Sequence, residues 1–73
     1  MKYLIVENQL GPPCAIVFNE ALTHKDVAGN MKVISAGFVE VGSHEVNVYG
    51  FSESLNIKSN PRDKDYIELA LLH

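Results

Sequence analysis

The stretch Met31 to Phe51, MKVISAGFVEVGSHEVNVYGF, decides the fold. Its β-branched and aromatic residues alternate with polar ones, most cleanly where Val46 and Val48 fall between Glu45, Asn47 and Tyr49. A period of two marks a strand. Gly42 and Ser43 interrupt the run, which therefore reads as a hairpin of Met31 to Val41 and Glu45 to Phe51. A two-residue turn at Gly42-Ser43 would set Glu40 against Glu45, and like charges directly opposed destabilise a ladder. A loop from Gly42 to Glu45 instead sets Val41 against Val46, Val39 against Val48, Phe38 against Tyr49 and Gly37 against Gly50. That register is the expected one. In either case the valines share one face, and Ile34, Ala36, Phe38, Tyr49 and Phe51 share the other. Both faces are apolar, so both need cover.

On the N-terminal side, Lys2 to Glu7 and Cys14 to Phe18 are short runs rich in β-formers, joined by the turn-forming Asn8 to Pro13. They read as a second hairpin. Between the hairpins Thr23 can cap a brief helix, with Asp26 in its first turn and Gly29-Asn30 ending it. On the C-terminal side, Ser52 to Ser59 reads as an extended segment or as the strand continued past a bend. Asn60-Pro61-Arg62-Asp63 is a strong helix start: an Asn cap, proline where its missing N–H is harmless, and acids in the first turn. The predicted helix runs from Pro61 to near Leu72, with Tyr66, Ile67, Leu69 and Ala70 on one stripe.

The 73 residues make one domain, 1–73, of class α+β and order ββαββα. The expected architecture is a roughly four-stranded antiparallel sheet with the C-terminal helix on one face and a short helix between the hairpins. A chain this short rarely draws more than ~3–5 kcal/mol from its own core. Cys14 is the only cysteine, so no intramolecular disulfide can supplement it. The net charge of −3 arises between Lys32 and Lys58, where Glu40, Glu45 and Glu53 meet no Lys or Arg. Dispersed basic residues on an acidic chain argue against a nucleic-acid partner. Apolar runs such as Cys14 to Phe18 are too short to cross a membrane, and Glu7 interrupts the N-terminal one. With one thiol and no export signal, the expected location is the cytoplasm.

Candidate chemistry is sparse. His24, Asp26, His44, Glu45 and His73 are potential zinc ligands, but His24 and Asp26 stand two apart, which separates them on a helix. No metal or cofactor is expected, and the histidines read as solvated. Cys14 with His24 or His44 as base would make a thiol enzyme, yet free cysteine at the start of an apolar strand reads as packed and inert. No catalytic residue is assigned. Gly37 marks a bulge or close packing, and the three tyrosines read as core or interface residues with one wet end. Ser52, Ser54, Ser59 and Asn60 lie near the start of the last helix, whose amides attract anions, and form the candidate ligand site. Its ligand would be a small anion or an apolar molecule.

Ser35-Ala36-Gly37-Phe38-Val39, Tyr49-Gly50-Phe51-Ser52-Glu53-Ser54-Leu55 and Ser59-Asn60-Pro61-Arg62-Asp63 resemble small uncharacterised proteins of bacterial and phage or prophage genomes. The resemblance covers roughly the last half of the chain and implies an accessory intracellular protein without assigning an activity. Such proteins often carry a basic residue where this chain has Asn60.

A helix of about twelve residues is some 18 Å long and cannot roof both faces of such a sheet. The expectation is therefore a non-catalytic interaction protein that forms a homodimer and binds another protein. Its interface would be Ile34, Phe38, Tyr49 and Phe51, or the last helix with Leu69 and Leu72.

Overall fold

The computed structural model describes residues 1–71. In chain order the elements are β1 (Lys2–Val6), β2 (Cys14–Phe18), α1 (His24–Ala28), β3 (Val33–Val41), β4 (Val46–Tyr49), β5 (Phe51–Ser52), β6 (Ile57–Lys58) and α2 (Asp63–Leu71). β1 to β4 form an antiparallel sheet in the order β2-β1-β3-β4, and β5 pairs with β6. The chain is α+β, with α2 and the shorter α1 placed as the sequence predicts.

The β3–β4 register sets Val41 against Val46, Val39 against Val48 and Phe38 against Tyr49. The loop closes through a hydrogen bond from Gly42 N–H to the Glu45 carbonyl at 2.8 Å, and the two glutamates do not meet. The expected Gly37–Gly50 pair is absent from the ladder because the chain leaves the sheet there. Gly50 takes a left-handed φ of +73°, and the Tyr49 carbonyl folds over Gly37. A Cβ on Gly37 would stand 2.6 Å from that oxygen and 3.0 Å from the Ser59 Cβ, so only glycine fits.

Alternation along the strands divides the core in two. Tyr3, Ile5, Val39 and Val46 pack with Ile67 of α2 on one face. Leu4, Val6 and Ala36 pack on the other with Ala28 and Val27 of α1, and with Leu55 and Ile57 from the β5–β6 hairpin. This corrects the expectation that the second face lacks a roof. The segment Ser52 to Ser59 is not a continued strand. It is a hairpin turned by Asn56 at φ 56° and laid over the sheet. A β-bulge also shifts the edge of that face: Ile5 pairs with Ser35 but Val6 pairs with Val33. Val33 thus enters the core, and Ile34 is left half-exposed.

α2 begins two residues later than predicted, after a turn through Pro61 and Arg62. Its cap is reciprocal: Asn60 Oδ1 accepts from Arg62 N–H at 2.9 Å, and Asp63 Oδ2 accepts from Asn60 N–H at 2.9 Å. The Asp63 carboxylate, 2 % exposed, also accepts from Tyr3 Oη at 2.5 Å and from Ser35 Oγ at 2.7 Å. One side chain therefore ties α2 to β1 and β3. Its helical neighbour Ile67, four residues on, is fully buried, whereas Leu69 and Ala70 of the predicted stripe are exposed. Leu72 lies outside the described residues.

Replacing Gly37 with alanine forces a methyl group into backbone rather than into a movable side chain. The expected destabilisation is about 1–3 kcal/mol in urea unfolding; unchanged stability would contradict the close approach of Tyr49.

Candidate functional site: an aromatic groove on the second face

The second roof stops short of the β4 end of the sheet and leaves a groove of about 600 Å³. Its position follows from two short elements. Thr23 caps α1, its Oγ1 accepting from Asp26 N–H at 3.1 Å, and Gly29 ends the helix at φ 53°. This single turn sets His24, Val27 and Ala28 on its inner side. At the other border, Gly50 turns the chain so that Phe51 follows Tyr49 around a corner.

His24 is only 3 % exposed, which corrects its reading as a solvated histidine. Its Nε2 donates to the Gly37 carbonyl at 2.8 Å. The carbonyl only accepts, so Nε2 carries the proton. The imidazole stands edge-on to Phe18 at 5.5 Å and to Phe38 at 5.9 Å, and Phe38 stacks on Tyr49 at 5.7 Å with planes 20° apart. Tyr49 and Phe51 remain 47 % and 52 % exposed. Lys2, Thr23, Glu53 and Ser54 complete the rim.

Three residues of the expected aromatic interface, Phe38, Tyr49 and Phe51, thus meet around one groove. Ile34 does not line it; it lies about 13 Å along β3 from Phe38. Leu69 belongs to the exposed side of α2, beyond the other face.

The four residues of the candidate ligand site are engaged within the fold, as two neighbouring pairs, with Ser52 Oγ 3.4 Å from Ser54 Oγ. Ser54 lines the groove, and its Oγ accepts from Lys25 N–H at 3.2 Å. Ser52 is fully buried and its Oγ accepts from Leu55 N–H at 3.2 Å, closing the β5–β6 turn. Ser59 Oγ donates to the Gly50 carbonyl at 2.6 Å, and Asn60 caps α2. The start of α2 already holds an anion of the chain's own, Asp63.

Cys14 is exposed rather than packed. Its Sγ stands 3.6 Å from Asn8 Nδ2 and 3.9 Å from the Pro12 carbonyl, and no histidine is among these partners. Among the described residues, no group of three or more His, Cys, Asp or Glu side chains converges as a metal site.

The largest electrostatic perturbation lies elsewhere. Burial, then the hydrogen bond to Asp63 and that carboxylate's charge, push the Tyr3 phenol well above its ordinary 10.0. Tyr3 is fully enclosed, so this is an interior strut and not a reactive group. It also lacks the wet end expected of it.

Sequence reasoning missed His24, Gly50, Thr23, Lys2 and Glu53 as groove residues. The helical spacing of His24 with Val27 and Ala28 was the available signal, since residues three and four apart share a face. No family model matches the chain, and no curated protein or solved structure matches it.

Because folded Tyr3 keeps its proton where the unfolded chain releases it, stability is fully present below about pH 10 and is lost above it. The loss from this group integrates to about 1 kcal/mol between about pH 10 and 11 and steepens toward about 1.4 kcal/mol per pH unit above that. Urea unfolding between about pH 10 and 11 should cost the native chain about 1 kcal/mol more than Tyr3→Phe; equal losses would contradict the burial of the phenol.

Proposed function

We propose that this chain is a non-catalytic, cytoplasmic interaction protein that pairs with a second copy of itself through the groove corner. The supporting observation is the convergence of Phe38, Tyr49 and Phe51 on one recess, with two of the three rings about half-exposed. Aromatic side chains are enriched at interfaces because they bury large area at low entropic cost. Charge supports the choice of partner. Lys2 and Glu53 both stand on the rim, so a two-fold axis can oppose each to its counterpart on the other copy. Such a surface is complementary to itself. An accessory role of the phage or prophage kind is part of this proposal, and another protein could use the same corner.

A second reading, a small-ligand module, is favoured by the groove's volume, which falls within the about 300–1,000 Å³ of small-molecule clefts, and by His24 at its floor.

Light scattering at micromolar concentration should return the mass of two chains, and Phe51→Glu should return that of one. Leu69→Glu, on the far side, should leave the pair intact. A single-chain mass for the native protein, or a pair that survives Phe51→Glu, would defeat the proposal.

A further inference from the structure

His24 presents a second nitrogen that the fold does not use. Nε2 is fixed as a donor by the Gly37 carbonyl, so in the neutral ring Nδ1 is a bare lone pair, able only to accept. Nε2 makes the ring's only hydrogen bond among the described residues. No buried side-chain nitrogen or oxygen among them lacks a partner. Nδ1 is therefore not sealed in the interior, and His24 is one of the residues that line the groove. The residue is 3 % exposed, and Phe18 and Phe38 hold the plane of its ring.

Of the neighbouring polar groups, Lys2, Thr23 and Ser54 are engaged, and Glu53 stands on the rim. Lys2 Nζ donates to the Leu22 carbonyl at 2.9 Å, Thr23 Oγ1 caps α1, and Ser54 Oγ accepts from Lys25. Lys2 and Glu53 give the rim one charge of each sign, which favours no ionic occupant. Inside the rim the lining offers the His24 ring as a neutral acceptor and aromatic walls from Phe38, Tyr49 and Phe51. Flat rings stack on such walls, and an aimed acceptor selects a donor.

We infer that the groove is a binding site for a small, neutral, planar aromatic molecule whose single N–H or O–H donor meets His24 Nδ1. The inference deepens the ligand-binding reading and does not require the pair. A ligand seated there occupies the corner through which two copies would meet, so binding and pairing exclude one another.

Indole and 1-methylindole test the inference, since they share the ring system and differ in the donor. The native chain, labelled at histidine with ¹⁵N, is titrated with each by NMR while light scattering on the same samples reads the mass. Indole should shift the His24 Nδ1 resonance and the Phe38 and Phe51 ring signals saturably. 1-Methylindole should bind about tenfold more weakly, the worth of one hydrogen bond. Equal binding of the two, or no change at His24 with indole, would overturn the inference. The titration is read in samples diluted until light scattering returns the mass of one chain, so that pairing does not compete with the ligand.

Discussion

A carboxylate withdrawn from water is the constraint on which this structure depends. Asp63 is buried under the sheet, where an ionised group without partners would be prohibitively unfavourable. It is tolerated because Tyr3, Ser35 and the Asn60 amide all donate to it. Those donors belong to β1, β3 and the turn before α2, so the side chain that caps the helix also fixes where the helix lands. A nine-residue helix has little stability alone. Held at its first residue, it needs few further contacts, and Ile67 and Tyr66 supply them.

With α2 committed to one face, the other is closed by what the chain has left: one turn of α1 and the β5–β6 hairpin. Both are short, and their placement rests on polar contacts with the sheet and with each other. His24 reaches the Gly37 carbonyl, and Ser54 receives the Lys25 amide. Gly37 serves both sides, admitting the Tyr49 carbonyl where any side chain would block it. The groove exists where this second roof ends, and its aromatic walls are residues that a longer element would have covered.

The sheet and the last helix were legible in the sequence because they depend on local rules. Period-two alternation, the repulsion of Glu40 and Glu45, and the Asn60-Pro61 cap each act over a few residues. What eluded sequence reading depends on which way a side chain turns and on contacts distant in the chain. Ser52 and Ser59 look like free hydroxyls in a polar loop, yet one closes a turn and the other holds Gly50. Asp63 reads as an ordinary first-turn acid, and only Tyr3, sixty positions away, makes it an interior one. The bulge that turns Ile34 outward arises from pairing with β1, which the spacing within β3 cannot reveal. Of the groove, its aromatic members were legible through their shared face. Its histidine was signalled only by the spacing to Val27 and Ala28, one turn of pattern in a five-residue helix.

The dependence of the fold on Asp63 is tested most directly by a double-mutant cycle in urea between Tyr3→Phe and Asp63→Ala. If the phenol and the carboxylate act as one unit, the two losses should fall short of additivity by about 1–2 kcal/mol. Losses that add to within about 0.5 kcal/mol would mean that the two groups act independently, and that the contact of Tyr3 with Asp63 does not hold α2.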